Sequence, residues 1–115
     1  MSSPLFFVNS QLGKKIKVMK RENKYQGELI KRIKKRFPGC MVLKNDPNYI
    51  QGIPDLSVFY KDHWAMLECK KSSNEPARPN QETYVERLNN MSFSRFIYPE
   101  NEEEVLNDME RAFKS

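Results

Sequence analysis

Two short runs of alternating residues, set back to back, constrain this chain most. In the first, Leu56, Val58 and Tyr60 alternate with Asp55, Ser57 and Phe59. Lys61-Asp62-His63 follows, and then Ala65 and Leu67 alternate with Trp64, Met66, Glu68 and Lys70. A period of two is that of a β-strand, and a short polar break between two such runs predicts a hairpin. Glu68 and Lys70 are two apart, so they share a face. Asp55 opens the neighbouring strand and can lie beside Glu68 at one end of the hairpin. The stretch Trp64 to Cys69 otherwise reads as buried strand, where a charge is costly unless it is paired or bound to a cation.

The remaining segments fall into place around this hairpin. Leu29, Ile30, Ile33 and Phe37 repeat at helical spacing and predict a helix from about Arg21 to Phe37, stopped by Pro38-Gly39. Cys40 to Leu43 reads as a strand, and Asn45-Asp46-Pro47-Asn48 with Gly52 and Pro54 as a loop. Pro79 can start a helix running to about Asn90, with Gln81, Tyr84, Val85 and Leu88 on one stripe. Arg95 to Tyr98 reads as a fourth strand. A last helix spans about Asn101 to Phe113, carrying Val105, Leu106, Met109, Ala112 and Phe113 inward and Glu102, Glu103 and Glu104 at its start. The order αβββαβα is that of a single α/β domain, a mixed central sheet flanked by helices. Its first three strands should be antiparallel, and its fourth, reached by a helical crossover, parallel. Residues 1–19 are set apart as an N-terminal arm, for contact with DNA or a second copy, ahead of a domain over 20–115.

At 115 residues the chain suits one domain with a core of its own. No apolar run approaches the roughly 18 residues that span a membrane. Leu5-Phe6-Phe7-Val8 is too short for a secretory core, which points to a soluble cytoplasmic protein. Cys40 and Cys69 are expected as buried thiols, and with His63 as the sole histidine they cannot form a zinc site. Charge is uneven. Residues 1–44 hold 12 Lys/Arg against Glu22 and Glu28, a net of +10, while residues 45–115 hold 8 against 13 acids, a net of −5. A basic half suits a polyanion partner.

Two close carboxylates, Asp55 and Glu68, repel each other unless a cation sits between them. Oxygen ligands suit Mg²⁺ or Mn²⁺, and such an ion can polarise a phosphoryl oxygen and acidify a water. Lys70 would orient that water or neutralise charge developing on phosphate. The alternative is a solvated pair on an exposed strand face.

Pro54-Asp55, twelve intervening residues and Glu68-Cys69-Lys70 resemble the PD-(D/E)XK nuclease signature. Gly52-Ile53-Pro54-Asp55-Leu56, with Gln81 on the following helix, is most similar to the VRR-NUC branch, itself similar to the small Holliday junction resolvases. The resemblance covers residues 22–98. It implies a restriction-endonuclease-like core and a Mg²⁺- or Mn²⁺-dependent endodeoxyribonuclease, selective for branched DNA such as four-way junctions. Asp55, Glu68 and the backbone carbonyl of Cys69 would ligate metal, with Glu28 as an additional acid. Lys70 would be the catalytic lysine, and Gln81 would hold it or a phosphate. Lys24, Lys31, Lys35 and Arg78 are expected to line a phosphate track, with Lys71 in the substrate loop and Lys44 reaching toward the scissile phosphate. One site per chain implies a homodimer for two-strand cutting, with Leu5 to Val8 as an interface segment. A short nuclease with a basic arm would suit a phage or mobile element. The competing readings are a nicking or DNA-degrading nuclease and a non-catalytic nucleic-acid-binding module.

Overall fold

The computed structural model describes residues 3–115; within its first helix the side chains of residues 3–11, 15, 18 and 19 lie outside the described part. That helix, α1 (Ser3–Arg36), is 34 residues long. It corrects the expected start near Arg21: from Ser3 onward, the segment set apart as an arm is helical and continuous with α1. No proline interrupts residues 5–36, and Leu, Lys, Arg, Gln, Met and Glu are all good helix formers. Leu12 and Ile16 are exposed on it, and the Leu5 to Val8 side chains lie outside the described residues. Lys34, Lys35 and Arg36 occupy the last turn, where cations suit the helix dipole, and Gly39 turns the chain at φ +87°.

The other elements are β1 (Met41–Lys44), β2 (Leu56–Tyr60), β3 (His63–Cys69), α2 (Gln81–Met91), β4 (Ser94–Ile97) and α3 (Glu102–Phe113). The sheet runs β1-β2-β3-β4, with β1, β2 and β3 antiparallel and β3 parallel to β4, as the sequence implies. The hairpin turn is one residue tighter than expected. Tyr60 pairs with His63, so only Lys61 and Asp62 form it, Lys61 at φ 56°.

Strand alternation divides the sheet into two faces. Leu56, Val58, Ala65, Leu67, Cys69 and Ile97 pack against Tyr25, Leu29, Ile33 and Phe37 of α1 and against Val105, Leu106, Met109 and Phe113 of α3. Glu102 joins the two helices, accepting from Tyr25 at 2.9 Å and from Arg32 at 2.6 and 2.8 Å. It is thus a tertiary clasp as well as a residue of the helix start. On the opposite face α2 packs over β3 and β4. Met41, Leu43 and Phe59, toward the β1 edge, stay exposed there. Cys69 is buried and Cys40 half-buried, and both are free thiols.

Candidate active site

The β2–β3 register aligns Leu56 with Leu67, which sets Asp55 opposite Glu68. The Cys69 amide fixes Asp55 by donating to its Oδ2 at 2.9 Å. Glu68 and Lys70 are each only 3% exposed, on the sheet face that α2 partly covers. Gln81, the first residue of α2, ties them together. Its amide nitrogen donates to Glu68 Oε2 at 2.9 Å, and its carbonyl accepts from Lys70 Nζ and from the Arg78 amide, both at 2.7 Å. Gln81 is therefore buried and holds the lysine, one of its two expected roles. Gly52 lets this arrangement close. It has φ +91°, and a Cβ there would come within 2.6 Å of the Asn80 Cβ. Only glycine allows the loop before Asp55 to lie against the start of α2.

Two site residues were not read from the sequence. Glu75 stands 3.5 Å from Lys70 Nζ and also accepts from the Lys71 amide at 3.1 Å. Glu22, on α1, lines the same cavity of about 260 Å³ as Asp55, Glu68, Arg78 and Gln81. Arg78 Nη2 lies 3.6 Å from Glu22 Oε2. Helical phase could have found Glu22, because it is seven residues before Leu29, two turns away on the buried face. Glu75 is a loop residue with no periodicity to reveal it.

Glu28 does not join the site. It is exposed, six residues past Glu22 and so about 240° round the helix. Lys24, Lys31 and Lys35 are exposed too, each two residues after Glu22, Leu29 or Ile33 and so about 200° from the inward face. They cannot line a track into this cavity. Lys44 pairs with Leu56, which directs it to the α1 side of the sheet, away from Asp55. Lys71 and Arg78 remain close, Lys71 half-buried beside Lys70 and Arg78 exposed at the cavity.

The electrostatics are those of crowded, buried acid. Burial pushes the Glu68 carboxyl up to about 9, with the Asp55 charge adding and Lys70 opposing. Burial and Glu75 push Glu22 up to about 7, against Arg78 and Lys70. Burial raises Asp55 as well, despite the Cys69 amide and Lys70. Glu75 goes the other way. Burial would raise it, but hydrogen bonds with Glu22 and the Lys71 amide and the charge of Lys70 hold it below the ordinary range. Glu68 Oε1 and Glu22 Oε1 are buried with no hydrogen-bond partner among the described residues. An orphaned carboxylate oxygen beside a second carboxylate fits a hard divalent cation. Among the described residues no three His, Cys, Asp or Glu side chains converge to ligate one ion. The donor set is instead two carboxylates, a number that suits Mg²⁺, which keeps several waters.

These shifts have a consequence for stability. Glu68, Glu22 and Asp55 hold protons more tightly in the folded state, so the folded protein binds more protons than the unfolded one above the ordinary carboxylate range. Stability of the metal-free protein then falls as pH rises from the ordinary glutamate range through about 7 for Glu22 and about 9 for Glu68. The expected result is a lower melting temperature near pH 8.5 than near pH 5.5 in EDTA, with Mg²⁺ or Mn²⁺ raising it more at the higher pH. A flat profile without a metal response would mean that the acids are solvated.

A solved structure of a VRR_NUC domain superposes on this chain with a TM-score of 0.54, at 23% identity, covering 82% of this chain and 95% of that one. The fold is that of a VRR_NUC domain. No family model and no curated protein matches the chain. The superposition agrees with the core order implied by Gly52 to Leu56 and Glu68-Cys69-Lys70, while the identity supports the fold alone.

Proposed function

We propose that this protein is a metal-dependent DNA endonuclease that hydrolyses phosphodiester bonds, acting on branched DNA such as four-way junctions. The observation that carries this reading is Glu68, buried with an orphaned oxygen opposite Asp55 and joined through Gln81 to the buried Lys70. Mg²⁺ or Mn²⁺ held by Asp55 and Glu68, with the Cys69 carbonyl, would polarise a phosphoryl oxygen and acidify a water.

The chain's own residues do the rest. Gln81 and Glu75 hold the Lys70 ammonium as a positioned point charge beside the carboxylates, where negative charge develops on phosphate. Arg78 at the cavity offers a second cation to the substrate backbone. Helix α2 and the loop before Asp55 bound the cavity on two sides, so the acids face a restricted solvent space. Cutting both strands of a branch needs two such cavities, and we infer a homodimer through the exposed Met41, Leu43 and Phe59. Light scattering decides that point, since a mass near 13.7 kDa would exclude it.

The test is cleavage of a labelled four-way junction beside a linear duplex of the same sequence, with Mg²⁺ or EDTA. Metal-dependent cutting of the junction alone is expected. Cutting of both substrates would keep the nuclease and remove the selectivity. Tight binding with no cutting under either metal would leave a binding module.

A further inference from the structure

The loop between β1 and β2 has two working sides. Through Pro47, Gln51 and Gly52 it lines the cavity that holds Asp55 and Glu68. Through Asp46, Tyr49 and Ile50 it lines a second cavity of about 550 Å³, completed by Met66. Ile53 lines both. Tyr49, between residues of the first cavity on either side in sequence, is 85% exposed. An aromatic ring so exposed contributes little to the core.

The loop holds the Tyr49 backbone in a defined place. The Tyr49 amide donates to the Asp46 carbonyl at 3.2 Å, and the Asn48 amide to Asp46 Oδ1 at 2.9 Å. Asn45 donates to the Pro54 carbonyl at 2.8 Å, and the Ile53 amide to the Ile50 carbonyl at 3.3 Å. The cavity contains no Lys or Arg, and Asp46 would repel a phosphate. A sugar-phosphate backbone is therefore unsuited to it. A flat, uncharged, aromatic group is suited, and Asp46 can accept from a ring amine.

We propose that this second cavity is a base site. It takes one unpaired nucleobase, stacked on Tyr49, from a strand whose phosphate lies at Asp55 and Glu68. The proposal rests on the nuclease reading above and deepens it, because an unpaired base is what a branch or single-stranded end offers and a continuous duplex does not. Stacking serves any base, since each has a π face.

The test compares binding of a fluorescein-labelled single strand and a blunt duplex of equal length, with Ca²⁺ in place of Mg²⁺. Wild type, Tyr49→Ala and Tyr49→Trp are compared. The ratio of single-strand to duplex affinity is expected to fall about 10-fold in Tyr49→Ala and to be kept in Tyr49→Trp. An unchanged ratio in Tyr49→Ala, or a ratio lost equally in Tyr49→Trp, overturns the base site. So does a drop in mass by light scattering on Tyr49→Ala, which would assign the ring to an interface between copies. Cleavage by the wild type in Mg²⁺ separates the two readings. If it cuts while the ratio is unmoved, only the base site falls; if it neither binds nor cuts, both fall.

Discussion

Asp55→Asn is expected to abolish metal-dependent cleavage while making the metal-free protein more stable. Loss of an anionic ligand removes most of the charge stabilisation that a bound cation would supply, several kcal/mol, or at least about a thousand-fold in rate. Stability moves oppositely because Asp55 raises its neighbour Glu68 by its own charge. The asparagine carbonyl can still accept from the Cys69 amide, so the 2.9 Å hydrogen bond that fixes this position survives. What disappears is the charge that helps hold a proton on the buried Glu68 carboxyl, so the gain is small near pH 7 and grows to about 1 kcal/mol, a few degrees in melting temperature, as pH rises past about 9. The variant should also lose the rise in melting temperature on adding Mg²⁺. Scanning calorimetry with the cleavage assay checks both halves. Retained cleavage, or a melting temperature that falls, would remove Asp55 from the metal site.

That opposition of activity and stability marks where the sequence was most legible. Asp55, Glu68 and Lys70 could be read because they break a strand pattern that otherwise favours burial, and strand alternation fixes their face regardless of the rest of the fold. Gln81 could be placed on α2 but its partner could not, because an amide serves solvent or a buried lysine equally well. The helix acid was misread for a physical reason. Glu28 looked notable as a lone acid among lysines, a pattern that marks a solvated face. Glu22 looked ordinary, yet its phase with Leu29 puts it on the buried side. The lysine track failed likewise, since a basic run names a helix but not which side carries the charge. Tyr49 and Glu75 lie on loops, where side-chain direction follows from turn hydrogen bonds that have no period. The length of α1 was missed because residues 1–19 mix a short apolar stretch, Leu5 to Val8, with Lys14, Lys15 and Lys17, a composition that fits an arm as well as a helix.

Lys70→Ala is expected to fail on both counts, and the contrast with Asp55→Asn is what makes the pair informative. Lys70 is 3% exposed and stands between Glu75 at 3.5 Å and Glu68 at 3.9 Å. Removing one partner of a buried ion pair leaves uncompensated charge at a cost of about 3–5 kcal/mol. Here the ionised Glu75 loses its counter-ion, the Glu68 carboxyl loses the charge that opposes its proton, and the Gln81 carbonyl keeps only the Arg78 amide as donor. A melting temperature lower by roughly 10–20 °C near pH 8 follows for a domain of this size. The loss should shrink toward pH 5, because Glu22 then takes up a proton through about 7 and no longer needs the ammonium, while Glu68 is protonated through the whole range below about 9 and Glu75, held low, stays ionised longer. Cleavage should fall with the stability at every pH, since no other cation replaces the ammonium beside the carboxylate pair. If Lys70→Ala instead melted like wild type across this range while losing only activity, the lysine would be solvated and mobile. The carboxylates would then be organised by metal alone, and Gln81 would have no lysine to position.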